Sequence, residues 1–168
     1  MMQKYLNPLF AALVFFGCNS KPQVAQTEMK EQTNAFSPIG NYVSESYERR
    51  SEGYDWVGVS VTQINDSALK ISVRSRADKK KPTCTFDATA AKINDTTYSA
   101  PAEGKTVLFV FRDSSLVIST RLKEDEGILY YYCSGGGSLA DTYQKIYEPL
   151  DEKQIDPSIF KKTPFSCS

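Results

Sequence analysis

Histidine is absent from this sequence of 168 residues. It is the commonest general base and zinc ligand, and it activates the nucleophile in Ser-His and Cys-His sites. Those catalytic classes are therefore excluded. Carboxylates could still act, but the acids of residues 124–126 fall in a predicted turn, where neighbouring carboxylates are solvated. We expect no enzymatic activity, no catalytic residues, and no metal or cofactor.

A charge excess and a long hydrophobic run are also missing. The chain has 20 basic and 20 acidic side chains. Domains that bind nucleic acid usually carry a basic excess, so we expect no nucleic-acid partner. The apolar run at residues 6–16 is shorter than the stretch of about 20 residues that a membrane-spanning helix needs.

The short apolar run is nevertheless typical of an export signal. Lys4 precedes it, and the small residue Gly17 follows it directly before Cys18. The alternative is an uncleaved N-terminal anchor or a buried helix that ends in Gly-Cys. A cysteine at the cleavage point resembles the lipobox of bacterial lipoproteins, although Phe15 occupies the place of the usual leucine. The resemblance implies that residues 1–17 are a signal peptide, that Cys18 is acylated, and that the protein is anchored to a bacterial membrane in the cell envelope.

Residues 18–38 are polar, lack periodicity and end in a proline, which predicts a flexible tether. A flexible stretch of about nineteen residues has a root-mean-square reach of roughly 22–26 Å. The folded part of the chain can then stand clear of the lipid headgroups.

Three cysteines remain after Cys18, an odd number in a compartment that permits disulfides. Cys84 and Cys133 each lie at the edge of a strand-like run, so a bridge between them is the favoured pairing. A bridge between Cys133 and Cys167 is the alternative. No Cys-x-x-Cys pair occurs, which argues against a redox-active or zinc site.

From residue 39 onward, most segments alternate between apolar and polar side chains or are rich in strand-forming residues. The pattern predicts an all-β domain over residues 39–150, a single small antiparallel meander β-barrel of eight or nine strands, followed by a tail at 151–168. We expect the first strand to meet the last, at 139–146, because closure removes exposed edges. The arrangement resembles lipocalin-like (calycin) barrels, and we expect a narrow interior filled largely by side chains.

The same pattern makes two local predictions. Residues 128–133 are predicted to form a strand, with Tyr130 and Tyr132 on one face and Tyr131 and Cys133 on the other. Trp56 is predicted to be a core residue that closes one end of the barrel.

A basic stretch before Pro82 is the first candidate interaction site. It contributes five basic side chains, Arg74, Arg76, Lys79, Lys80 and Lys81. In one interpretation they form a loop that binds an anionic headgroup, an acidic glycan or an acidic protein surface. In the other, the loop is a solvated hairpin tip that prevents edge-to-edge pairing of strands.

The second candidate site is a segment of tyrosines and glycines. Its candidate residues are Tyr130, Tyr132, Ser134, Gly135, Gly136 and Gly137. Such a loop could enter the cleft of a partner, or a tyrosine face could receive a sugar. The alternative is a disulfide-pinned strand end followed by a loose loop. Ser134 and Gly135 resemble the Ser-Gly loop of the envelope inhibitors of lysozyme, which are small β-barrels.

These patterns together predict a monomeric, non-catalytic interaction module that a lipid anchor displays at the membrane. Its expected partners are the membrane, through the anchor, and an envelope protein or hydrolase. Two alternatives stay open: a protein inhibitor of a wall-degrading hydrolase, and a lipocalin-like carrier of a small apolar ligand.

Overall fold

The computed structural model describes residues 36–155. The predicted signal peptide, Cys18, the tether up to residue 35 and Cys167 lie outside the described residues. The strands are β1 (Gly40–Val43), β2 (Val57–Asn65), β3 (Ala68–Ser75), β4 (Thr85–Asn94), β5 (Thr97–Ala102), β6 (Lys105–Arg112), β7 (Ser115–Thr120) and β8 (Asp141–Ile146). One turn of α-helix, α1, covers Ile128–Tyr131, and short 3-10 helices cover Glu45–Glu52, Lys123–Asp125 and Glu152–Gln154. None of the helices in this part of the chain is long and apolar enough to cross a membrane.

The eight strands pair in chain order, each antiparallel to the next, and β1 also pairs with β8. In the closing ladder, Asn41 lies opposite Ile146 and Val43 lies opposite Gln144. The closed antiparallel meander predicted from the sequence is therefore confirmed.

Alternate residues of the strands fill the interior of the barrel. Val59 of β2 and Val73 of β3 lie opposite each other and are both fully buried. Aromatic rings add bulk, since the ring of Phe111 lies 5.8 Å from that of Tyr42 and 5.7 Å from that of Tyr98, centroid to centroid. The interior is thus occupied by side chains, as expected.

A second, smaller apolar cluster packs on the outer face of β1 and β2, and Trp56 belongs to it. Its indole ring meets Tyr47 edge-on, with 4.9 Å between ring centroids, and donates a hydrogen bond from Nε1 to Oε1 of Gln154 at 2.7 Å. Leu150 covers Gly58 on the same face. The prediction that Trp56 is a core residue is confirmed, since it is 1% exposed. It does not close one end of the barrel interior, because it is in phase with the outward-facing positions of β2 and belongs to the outer cluster.

The two ends of the barrel differ. What we call the hairpin end consists of the start of β1, the end of β8, and the tight turns at 66–67, 95–96 and 113–114. Asn65 and Asn94 hold the first two turns, because each Oδ1 accepts a hydrogen bond from the backbone N–H two residues later, at 2.9 and 3.0 Å. What we call the loop end consists of the turn at 103–104 and the longer connections at 44–56, 76–84 and 121–140.

The ladder between β4 and β5 is short and stops before it reaches the loop end. β5 pairs with β4 only through residues 97–99. If that register continued, Pro101 would lie opposite Thr89, and proline has no N–H to donate to the ladder. The backbone of residues 83–85 pairs instead with residues 132–134. The connection at 121–140 thus completes the wall where β5 does not.

Candidate functional site

Residues 128–131 form the helical turn α1, where the alternation predicted a strand. Leu129 is fully buried at the base of this turn, and its carbonyl accepts a hydrogen bond from the N–H of Leu139 at 2.9 Å. The strand prediction for residues 128–133 is wrong, because tertiary contacts override the strand propensity of a short apolar run. As a result, Tyr130 and Tyr132 do not share a face.

A disulfide joins Cys133 to Cys84, the residue directly before β4, which confirms the favoured pairing. Backbone hydrogen bonds flank it on both sides. The N–H of Thr85 donates to the carbonyl of Tyr132 at 3.0 Å, and the N–H of Ser134 donates to the carbonyl of Thr83 at 2.7 Å. The segment of tyrosines and glycines is therefore fixed directly beside the end of the basic loop. The structure brings the two sequence-predicted sites together.

The three consecutive tyrosines have different surroundings. Tyr132 packs against the core, with its ring centroid 4.7 Å from that of Phe86, and burial raises the pKa of its phenol. Tyr130 and Tyr131 are 55% and 68% exposed. The ring of Tyr131 meets that of Tyr132 edge-on at 5.2 Å, so a fixed ring supports a solvent-facing one.

Tyr131 is the functional candidate that the sequence analysis missed. Strand alternation placed it on the same side as Cys133 and away from Tyr130. A helical turn instead leaves Tyr130 and Tyr131 both facing solvent. Four residues are too few for a helical period to be visible in the sequence.

The glycine loop, residues 134–137, has a projecting tip at Gly135 and Gly136 and a packed base at Gly137. Gly135 and Gly136 have positive φ angles of 63° and 81°, which favour glycine. Among the described residues, no atom outside their chain neighbours lies within 4 Å of where a Cβ would stand at either glycine. Gly137 is packed, since a Cβ there would lie 3.1 Å from Cγ2 of Thr83, and its N–H donates to the carbonyl of Ser134 at 3.1 Å.

Two of the predicted basic residues are held by neighbouring carboxylates. Arg74 lies within β3, where its side chain is largely buried and binds Asp87 at 2.8 Å. Arg76 pairs with Asp78, and this guanidinium holds the pKa of the Asp78 carboxyl below its usual range. Both arginines therefore stabilise the base of the loop.

The tip of the basic loop consists of Lys79, Lys80 and Lys81. Lys80 pairs with Asp55. Lys79 has a positive φ of 65°, which is uncommon for a residue other than glycine. Lys79 and Lys81 are exposed. They are the lysines of the tip that present positive charge to solvent.

We call the combined feature the loop-end surface and define it by Lys79, Lys81, Tyr130, Tyr131 and residues 134–136. It offers two aromatic rings, two ammonium groups and the polar backbone of a glycine turn. Tyrosine rings supply apolar contact with a polar tip, and ammonium groups bind carboxylates or other anions. The arrangement is suited to recognition of an acidic or carbohydrate-bearing surface.

A further pair of residues borders the basic loop. The guanidinium of Arg49 lies 3.5 Å from the ring centroid of Tyr54, and Tyr54 is 43% exposed. Arg76 also donates to the carbonyl of Tyr54 at 3.5 Å. The aromatic and basic character of the loop end thus continues across the connection at 44–56.

No family model matches the chain, and no curated protein or solved structure is significantly similar to it.

Proposed function

We propose that the protein is a non-catalytic lipoprotein of the bacterial cell envelope and that its barrel is a monomeric interaction module. Acylated Cys18 anchors it to a membrane, and the tether at 18–38 allows the barrel to stand away from the lipid. The loop-end surface binds an envelope protein.

The observation that carries the proposal is the disulfide clamp at the loop end. Two segments far apart in the sequence, the basic loop and the tyrosine–glycine segment, meet there through Cys84 and Cys133. The clamp limits the conformations of the exposed tyrosines before a partner arrives, so less entropy is lost on binding. The described chain begins at the opposite, hairpin end of the barrel.

The chemistry of the described residues supports a binding role. The carboxyls of Asp78 and Asp95 are held by Arg76 and Lys92, which lower their pKa values further from the range that a general acid needs at neutral pH. The filled interior favours a surface function over the carriage of an apolar ligand.

Affinity capture from the native envelope tests the proposal. We expect the full-length chain to retain a specific envelope protein and the Tyr130→Ser/Tyr131→Ser variant to lose it. Tyr147→Ser is the matched control, since Tyr147 is an exposed tyrosine at the hairpin end. Equal capture by all three chains would contradict the assignment of the loop-end surface.

The second candidate function is inhibition of a wall-degrading hydrolase. The projecting tip at Gly135 and Gly136 favours it, because a narrow loop can enter a substrate cleft. Glycoside hydrolases place paired carboxylates in that cleft, and the ammonium groups of Lys79 and Lys81 complement such charges. Micromolar full-length protein should then inhibit lysozyme. Full activity of lysozymes of several types would remove this candidate and leave the interaction module untouched.

A further inference from the structure

The exposed hydrophobic side chains of the barrel are confined to its two ends. Among residues 36–155, nine large hydrophobic side chains are strongly exposed. Four lie at the loop end: Tyr54, Leu122, Tyr130 and Tyr131. Five lie at the hairpin end: Phe36, Ile39, Ile64, Ile93 and Tyr147. The proposed function does not involve the five side chains at the hairpin end.

Ile64 and Ile93 are presented by two equivalent turns. Each isoleucine is followed by Asn-Asp and a hydroxyl residue, and each lies at a register shift, between residues 63 and 65 in one ladder and between 92 and 94 in the other. The two side chains are 51% and 48% exposed. Because β2 and β4 flank β3, their backbones lie roughly 10 Å apart. The sequence thus places an isoleucine at two neighbouring positions of the hairpin end.

The described chain begins at this same end. Phe36 and Ile39 immediately precede β1, and the proposed acylated Cys18 lies only eighteen residues before Phe36. The hairpin end is therefore the part of the barrel nearest to the attachment point along the chain.

The charges of the hairpin end have both signs. They comprise Asp66, Asp95, Asp113 and Glu148 together with Lys92, Arg112 and Lys145. Lys92 and Asp95 bind each other at 2.9 Å. A strongly anionic surface would be repelled by the acids as much as attracted by the bases, whereas a zwitterionic headgroup layer is compatible with both.

We propose that the hairpin end is a membrane-contact surface that rests on a zwitterionic bilayer. Ile64 and Ile93 enter the interface, and Tyr147 lies at the headgroup level, where amphipathic aromatic rings concentrate. This inference rests on the proposed anchoring through Cys18. The anchor makes the contact intramolecular, so a few apolar side chains suffice to orient the barrel. The loop-end surface then faces away from the membrane.

Tryptophan substitutions at the hairpin end test its contact with the bilayer. The full-length acylated chain is inserted into phosphatidylcholine vesicles with and without brominated acyl chains, which quench nearby indole rings. The test variants are Ile64→Trp and Ile93→Trp. Leu122→Trp is the matched control, because Leu122 is 50% exposed at the loop end. The unsubstituted chain gives the baseline from Trp56, which is 1% exposed.

We expect the added emission of Ile64→Trp and Ile93→Trp to shift to shorter wavelength and to be quenched by bromine, and that of Leu122→Trp to do neither. Equal quenching at all three positions overturns the inference. A shift to shorter wavelength without quenching also overturns it, because a protein would then cover the hairpin end.

Flotation of the same vesicles tests the anchor at Cys18 separately from the membrane contact of the hairpin end. If the unsubstituted chain floats and Cys18→Ala does not, the anchor stands whatever the quenching shows. If the unsubstituted chain fails to float, the anchor and the membrane contact both fail.

Discussion

At the scale of single residues, Gly58 decides how closely the outer cluster packs on the barrel. A Cβ at this position would lie 2.8 Å from Cδ2 and 2.9 Å from Cδ1 of Leu150. Gly58→Ala should therefore lower the free energy of unfolding by about 1–3 kcal/mol, as overpacking does. Gly127→Ala is the control, because its φ is −54° and no described atom lies within 4 Å of the added carbon. Urea denaturation that finds equal effects would contradict this packing.

Tyr42 provides a pH test of the core. Burial raises the pKa of its phenol to about 12, and its hydroxyl donates to the carbonyl of Pro38 at 2.9 Å. The folded state favours the neutral phenol. The contribution of Tyr42 to the free energy of unfolding is therefore complete below pH 10 and is lost as the pH rises towards 12. A shift of that size corresponds to a loss on the order of 2–3 kcal/mol. Unfolding measured between pH 9 and 12 should show a weaker decline in Tyr42→Phe than in the unsubstituted chain.

Tyr147→Phe is the control for this measurement, since Tyr147 is 95% exposed. It should leave the alkaline decline unchanged. If Tyr42→Phe and the unsubstituted chain lose stability in parallel above pH 10, ionisation of the buried phenol is not a cause of the decline.

At the scale of elements, the disulfide connects β4 to the segment after α1. It closes a loop of 49 residues in sequence separation. Replacing both cysteines, as Cys84→Ser/Cys133→Ser, should cost about 2–5 kcal/mol of stability and lower the melting temperature. Limited proteolysis should then cut first between residues 134 and 138, because the turn loses its covalent tie. Unchanged resistance of that segment would show that backbone pairing alone fixes it.

The elements that the sequence predicts well are those that carry a visible period. Alternation identifies β2 and β3, where Val59 and Val73 face inward, and it yields the closed barrel. It fails at α1, because four apolar residues fit a strand or a helical turn equally well. Alternation also does not reveal that Trp56 packs outside the barrel. Its outer cluster includes Leu150, which is distant in the sequence, so no local signal marks the contact.

The candidate site is less predictable than the fold, because it depends on contacts between residues that are distant in the sequence. The tyrosines, glycines and lysines are evident in the sequence. Their meeting, however, depends on the bridge between Cys84 and Cys133 and on the end of the β4–β5 ladder at Ser99. Nor does the sequence show that Arg74 is held by Asp87, a contact between neighbouring strands. Which charges remain available to a partner is a property of the fold.

At the scale of the whole molecule, the two proposed tasks fall on opposite ends of the barrel. The hairpin end lies nearest in sequence to the proposed anchor and carries the paired isoleucines. The loop end carries the clamped tyrosines, the glycine tip and the exposed lysines. This polarity would allow one small domain to lie on a membrane and present a recognition surface away from it.

Site-specific photo-crosslinking in intact envelopes tests the recognition surface most directly. A photoreactive phenylalanine replaces Tyr131 in one full-length chain and Tyr147 in another, which compares two exposed tyrosine positions at opposite ends. We predict a discrete protein adduct from position 131 and none from position 147. An adduct from position 147 alone, or the same adduct from both positions, would contradict the assignment of recognition to the loop end.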